Sequence, residues 1–206
     1  MSYEINERGV EVQKREAAFR GYLRVERLQL RHRLYAGGMG AAITREVVQR
    51  GDAAAVLPYD PARDQVVLIE QFRVGPFIRG DEPWQIEIVA GIMEREEAPA
   101  TVAQREAHEE AGLELAELTH VLDYYSSPGV MSEHIAVFVA RVDASGAGGV
   151  YGLEKEGEDI RVLVLGFDEA MTALAAGRIK ASPAVIALQW LALNRARLRR
   201  CWSAGR

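Results

Sequence analysis

The chain has a single cysteine, Cys201, so no internal disulfide can form, and a reducing, cytoplasmic setting is expected. No window approaches the roughly 20 consecutive apolar residues that a bilayer-spanning helix needs. The start, MSYEINERGVEVQKREAAFRG, also lacks the apolar stretch of an export signal. There is no block of basic charge: Lys and Arg are scattered, 25 against 30 Asp and Glu, for a formal net charge of -5. That disfavours binding nucleic acid through a basic face. Internal repeats and low-complexity linkers are missing too. What is present is the composition of an ordinary globular protein, 49% hydrophobic and 27% charged over 206 residues. This length suffices for one large domain, or for a core domain with an appendage.

The one seam in the pattern lies near Gly51-Asp52. Before it, Phe19 to Leu34 (FRGYLRVERLQLRHRL) alternates apolar and charged residues, Ala36-Gly37-Gly38-Met39-Gly40 breaks the run, and Ala42 to Val48 (AITREVV) resumes it. This predicts antiparallel strands joined by a glycine-rich turn. Residues 1–50 are thus expected to form a small N-terminal antiparallel β region and residues 51–206 the main domain. In the latter, Ala53 to Pro58 and Gln65 to Gln71 flank the turn Tyr59-Asp60-Pro61-Ala62-Arg63-Asp64 and predict a hairpin. Further strands are expected at Trp84 to Val89, Leu115 to Tyr125, His134 to Val142 and Ile160 to Phe167. Helices are expected at Pro99 to Ala111, Asp168 to Gly177 and Pro183 to about Arg199, the last with Val185, Leu188, Leu191, Ala192 and Ile186 as its apolar stripe. Helices are interspersed among the strands without strict alternation, which makes the fold class α+β with a mixed sheet.

The stretch Gly91 to Leu113, GIMEREEAPATVAQREAHEEAGL, crowds Glu94, Glu96, Glu97, Glu106, Glu109 and Glu110 onto and around one predicted helix. Pro99 suits its first turn and Gly112 its end. At 100° per residue Ala100, Ala103, Ala107 and Ala111 form a small-residue stripe suited to close packing on a sheet. Glu106, Glu109 and Glu110 gather on the adjoining flank. Like charges one turn apart destabilise an exposed helix by a few tenths of a kcal/mol, and Glu109 and Glu110 also stand near the C-terminus, where the helix dipole disfavours anions. A solvated acidic face is the bland explanation. A hard divalent cation is the sharper one, since Mg²⁺ takes carboxylate and carbonyl oxygens. Arg105, four residues before Glu109, can pair with it across one turn.

The same stretch resembles the Nudix box: glycine, five residues, glutamate, seven residues, Arg-Glu, an apolar residue, any residue, Glu-Glu, any residue, glycine, an apolar residue. Gly91, Glu97, Arg105, Glu106, Ala107, Glu109, Glu110, Gly112 and Leu113 fill every specified place. Ala107 is small where a larger aliphatic residue is common. The resemblance implies an α/β/α sandwich that hydrolyses a nucleoside diphosphate linked to another group, with Mg²⁺ or Mn²⁺ as cofactor. By motif position it implies Glu106 and Glu110 as main metal ligands, Ala90 as a ligand through its carbonyl, and Glu109 as a further ligand or shaper of the site with a catalytic part. Glu97 and Arg105 would brace the box.

Outside the box, Leu68-Ile-Glu-Gln-Phe-Arg73, Glu87-Ile-Val-Ala-Gly91, Ser127-Pro-Gly129 with Ser132-Glu133, Glu156-Gly-Glu-Asp-Ile160 and Val185-Ile-Ala-Leu-Gln-Trp190 look like stretches of bacterial ADP-ribose pyrophosphatases. Pro128, 16 residues after Gly112, is similar to a proline that marks that group, although Ser-Pro-Gly is also an ordinary turn. This resemblance covers about Leu30 to Trp202. It implies hydrolysis of ADP-ribose to AMP and ribose 5-phosphate by attack of water at phosphorus. It further implies a homodimer paired through the N-terminal region, and substrate binding by Arg73, Arg45, Ser127, Pro128, Glu133 and, as an adenine-stacking partner, Tyr22. The reaction needs a base, and a mobile carboxylate can supply one; the resemblance favours Glu156 as that base and Glu158 as an additional metal ligand, with exchange of the two roles left open. His32, His108, His120 and His134 share no metal-ligand spacing. Two other readings stand beside this one: the same chemistry on GDP-mannose, NADH or a related compound, and a Nudix-fold sensor that binds without hydrolysis.

Overall fold

The computed structural model describes residues 9–94 and 96–203; the opening residues 1–8 of the expected N-terminal region lie outside it. By its internal packing the chain divides into two compact units, one formed by Met1–Asp52 with Tyr125–His134 and the other by Ala53–Tyr124 with Ile135–Arg206.

The smaller unit is a three-stranded antiparallel sheet, β1 (Val10–Arg20), β2 (Arg24–His32) and β3 (Ile43–Gln49), in that spatial order. The glycine-rich turn lies between β2 and β3, as its composition predicts. The strand β1 is additional to the sequence expectation, and Phe19 belongs to it, across the Gly21-Tyr22-Leu23 turn from β2. Two register irregularities, at Val12/Lys14 and Ala17/Phe19, break the alternation by which a strand is read. The segment Ser127 to Ser132 is tied to the end of β3 through Val48, whose N–H donates to Val130 and whose carbonyl accepts from Ser132.

The larger unit is built on a mixed sheet. Its strands are β4 (Ala53–Asp60), β5 (Gln65–Phe72), β6 (Trp84–Glu87), β7 (Val89–Ile92), β8 (Leu118–Tyr125), β9 (His134–Arg141), β10 (Gly149–Tyr151) and β11 (Ile160–Gly166). They run in the order β10-β11-β5-β4-β9-β8, with β4 and β9 parallel and the β10–β11, β11–β5 and β5–β4 pairs antiparallel. The β4–β5 hairpin pairs only near its turn, at Tyr59↔Val66 and Asp60↔Gln65. Beyond that the two strands part, and the stretch expected as one strand fills the gap as two: β6 pairs with β5, and after Ile88 the chain changes partner so that β7 pairs with β4.

Helix α1 (Val74–Arg79) contains Gly75-Pro76 and buries nothing, so no apolar stripe marks it in the sequence. The helix α2 (Pro99–Ala111) has the predicted bounds, with Pro99 at its start and Gly112 in the left-handed conformation at its end. On one face of the sheet α2 sets Val102, Ala103, Ala107 and Ala111 against Val56, Val67, Ile69 and Val89. Ala100, expected in that stripe, is exposed, and Val102 takes the buried place. On the other face, α3 (Phe167–Ala175) and α4 (Ser182–Ser203) cover Leu57, Tyr59, Leu68 and Val137. The buried stripe of α4 is Ala184, Ala187, Leu188, Leu191, Leu198 and Trp202; Val185 and Ile186 are half-buried and Ala192 is exposed. The expected α+β class with a mixed sheet, helices on both of its faces and a separate small antiparallel sheet is the architecture observed. Among the described residues no helix is long and apolar enough to cross a membrane.

Candidate active site

Two adjacent pieces of chain meet at the site in the larger unit: β7, with Ala90 and Gly91, and the outward flank of α2. The alanines and Val102 on the inward flank bring the helix close to the sheet. Glu110, on the border of that flank, is therefore only 3% exposed, and its Oε2 accepts a hydrogen bond from the backbone N–H of Ala90 at 3.0 Å. Gly91 has no room for a side chain, because a Cβ there would stand 1.7 Å from Oε1 of Glu106. The first and last glycines of the motif thus have separate reasons: at Gly91 a carboxylate occupies the space, and at Gly112 the backbone needs a positive φ of 63°.

Arg105 holds the acidic flank together. Its guanidinium donates to Glu97 at 3.2 Å, to Glu106 at 2.7 Å and to Glu109 at 3.0 Å, and the bond to Glu97 holds its own pKa up against the opposing effect of burial. The crowding is not fully relieved. Burial raises the Glu106 carboxyl despite Arg105, and pushes Glu110 up to about 8, with the charges of Glu106 and Glu158 adding to the rise and the Ala90 N–H and Arg73 opposing it. A carboxyl in that position is only partly ionised at neutral pH without a cation.

Glu158 and Glu156 come from the segment between β10 and β11. Glu158 accepts a hydrogen bond from the N–H of Leu153 at 3.0 Å, and its charge reaches Glu106, Glu110 and Arg73. Glu156 is exposed in a single 3₁₀ turn, Glu154–Glu156, with Lys155 3.5 Å from its carboxylate. Arg73 follows β5 and pairs with Glu87 of β6 at 2.7 Å. Burial works to lower its pKa, while Glu87, Glu110 and Glu158 keep it raised. Among the described residues no three carboxylate, imidazole or thiol side chains converge at cation-binding distance, because Glu106 and Glu109 lie on Arg105 and Glu110 lies on the Ala90 amide. The donor set still suits a hard cation: it is all oxygen, and it contains a carboxyl that burial, with the charges of Glu106 and Glu158 adding, drives towards protonation.

The remaining candidates lie in the smaller unit. Tyr22 is 89% exposed in the β1–β2 turn. Arg45, exposed on β3, donates to the carbonyl of Thr44. The carbonyl of Ser127 accepts from Val130 and Met131, which makes Ser127 and the exposed Pro128 part of a tight turn. Glu133 is buried, with Arg50 at 3.5 Å.

Glu87 and Gln71 were not singled out by sequence reasoning. Gln71 stands opposite Gln85 of β6, two residues before Arg73, and its buried Nε2 has no hydrogen-bond partner among the described residues. A buried donor without an acceptor costs about 1–3 kcal/mol. The signal available in the sequence is the switch from Val66-Val67-Leu68-Ile69 to Glu70-Gln71 at the end of a buried strand.

The pattern of the NUDIX domain matches residues 49–188. Over 194 residues, 94% of this chain and 93% of the other, the chain is 43% identical to the ADP-ribose pyrophosphatase of Escherichia coli (strain K12). It is 40% identical over 200 residues to that of Haemophilus influenzae, covering 96% of this chain and 92% of that one. It is also 37% identical over 155 residues to the GDP-mannose pyrophosphatase of Shigella flexneri, covering 73% and 78% of the two chains. A crystal structure of an ADP compounds hydrolase has the same fold, with a TM-score of 0.70 at 20% identity over 93% of this chain and 97% of that one. The chain belongs to the Nudix family.

Proposed function

We propose that this protein hydrolyses the diphosphate of ADP-ribose to AMP and ribose 5-phosphate. The observation that carries the reading is the placement of Glu106 and Glu110 one turn apart on α2, packed against Ala90 and Gly91, with Arg105 spanning Glu97, Glu106 and Glu109. The ADP-ribose pyrophosphatases align over more than nine-tenths of both chains, whereas the GDP-mannose enzyme aligns over less. This supports ADP-ribose over the other sugar nucleotide.

Glu106, Glu110, Glu158 and the carbonyl of Ala90 would hold Mg²⁺ or Mn²⁺, which supplies neutralisation of charge on the diphosphate and a lowered pKa for water. Arg105 keeps Glu106 and Glu109 aligned and competes for them, and Glu109 shapes the site as a further ligand. Arg73, fixed by Glu87, presents its remaining donors to phosphate oxygens. Glu156, exposed and between the two glycines of its segment, takes the proton of the attacking water. Substrate binding is assigned also to Tyr22, Arg45, Ser127, Pro128 and Glu133. The region 1–50 serves dimerisation, and the protein works in the cytoplasm.

Turnover of ADP-ribose, GDP-mannose and NADH at equal concentration with Mg²⁺ tests the substrate. ADP-ribose should be preferred, with AMP and ribose 5-phosphate as products; a clear preference for either competitor overturns the assignment. In the same assay Glu156→Gln should lower kcat by roughly 10²–10⁴-fold, and an unchanged kcat removes Glu156 as the base.

A further inference from the structure

The segment that carries Glu156 and Glu158 is pinned at its start to the C-terminal end of α2. Tyr151, the last residue of β10, lays its ring against Gly112, so that a Cβ on Gly112 would stand 2.6 Å from its Cε1 and 2.7 Å from its hydroxyl. The next residue, Gly152, donates its N–H to the carbonyl of Glu109 at 3.4 Å. Gly152 has φ of 106°, and a Cβ there would stand 2.7 Å from Cβ of Glu158. Leu153 then donates to the Glu158 carboxylate at 3.0 Å. At the other end, Ile160 pairs with Tyr151 and is fully buried.

One aromatic ring therefore rests on the glycine that ends the acidic helix, and the glycine that follows the ring in the chain is in turn covered by Glu158. Neither glycine admits a side chain. We infer that Tyr151 is a positioning residue: by seating on Gly112 it sets the base of the Gly152 to Asp159 segment against α2, and so sets where Glu158 stands relative to Glu106 and Glu110. This rests on the reading of those carboxylates as a metal site, but the contact itself does not. The contact is made by Cε1 and Cζ as well as by the hydroxyl, so phenylalanine keeps the ring part of it and should serve in its place, whereas alanine leaves the segment held to α2 mainly by the long Gly152 hydrogen bond.

The test compares Tyr151→Ala, Tyr151→Phe and the wild type by hydrogen exchange at the amides of Gly152, Leu153 and Glu158, by Mn²⁺ binding, and by kcat and KM for ADP-ribose. In Tyr151→Ala those amides should exchange faster. Mn²⁺ affinity and kcat should each fall by roughly 10- to 100-fold, KM should stay within about threefold, and Tyr151→Phe should restore all three losses. Unchanged exchange in Tyr151→Ala overturns the inference. So does faster exchange with full Mn²⁺ affinity and kcat, or a phenylalanine variant no better than alanine. If the wild type neither binds Mn²⁺ nor turns over ADP-ribose, the reading of the site fails. The exchange arm then still decides the latch, with faster exchange in alanine and protection in phenylalanine supporting it.

Discussion

At Gly91 a single missing side chain decides where a carboxylate stands. Because Oε1 of Glu106 occupies the space a Cβ would need, Gly91→Ala should push Glu106 off its position and lower kcat by roughly 10- to 100-fold. A circular dichroism spectrum and Tm close to wild type would place the loss in the site; full activity would show that Glu106 has room to shift. Glu110 makes a second prediction, on stability. Its carboxyl is raised from 4.5 to about 8 by burial, helped by Glu106 and Glu158, so the folded state binds this proton more tightly than the unfolded state does. The corresponding stability is fully present below about pH 4.5 and is lost as pH rises through about 8. For the metal-free protein this contributes a fall of up to about 1.4 kcal/mol per pH unit within that window. Glu110→Gln, neutral at all pH, should flatten that part of the curve in urea melts, and Mg²⁺ should stabilise the wild type more than the variant near pH 8. Equal slopes in the two proteins would remove the buried-carboxylate argument.

At the level of the element, α2 separates burial from exposure within a run of alanines. Ala103 is 1% exposed and faces the sheet, while Ala100 faces solvent. Ala103→Leu adds methylenes where none fit and should destabilise by about 1–3 kcal/mol, whereas Ala100→Leu should change stability by no more than about 0.5 kcal/mol. Chemical denaturation of the two variants makes the comparison, and similar losses would mean that the helix packs differently. The close approach that Ala103, Ala107 and Ala111 permit is also what buries Glu110. A bulkier stripe would lift the helix and leave its carboxylates in water.

For the molecule as a whole, the smaller unit raises the question of what covers its sheet. No apolar side chain of that unit is buried among the described residues, and Phe19, Tyr22, Leu23, Leu34 and Tyr35 are exposed. A three-stranded layer without a core has little independent stability, which supports the proposed pairing of two chains through residues 1–50. The prediction is a dimer in light scattering at micromolar protein and a Tm that rises with protein concentration. A monomer with a concentration-independent Tm would count against it.

Read alone, the amino-acid sequence determined the elements with strong local signals. Proline at the start and glycine at the end bound α2 to the residue; the Asp60-Pro61 turn set the hairpin; and the spacing of Gly91, Glu97, Arg105, Glu106, Glu109, Glu110 and Gly112 marked the candidate site, because each of these is a matter of near neighbours in the chain. Elements without such signals were not legible: β1, whose bulges break its alternation, α1, which buries nothing, and the change of strand partner at Ile88. Only the tertiary structure decided which alanines of α2 meet the sheet, since that depends on where the helix axis lies, and which stripe of α4 is buried. It also decided how three carboxylates can crowd one helix. Arg105 bonds Glu106 and Glu109, the Ala90 N–H donates to the buried Glu110, and Tyr151 seats on Gly112 at the end of the helix. Those contacts join residues far apart in sequence, and their energies depend on burial that no local pattern records.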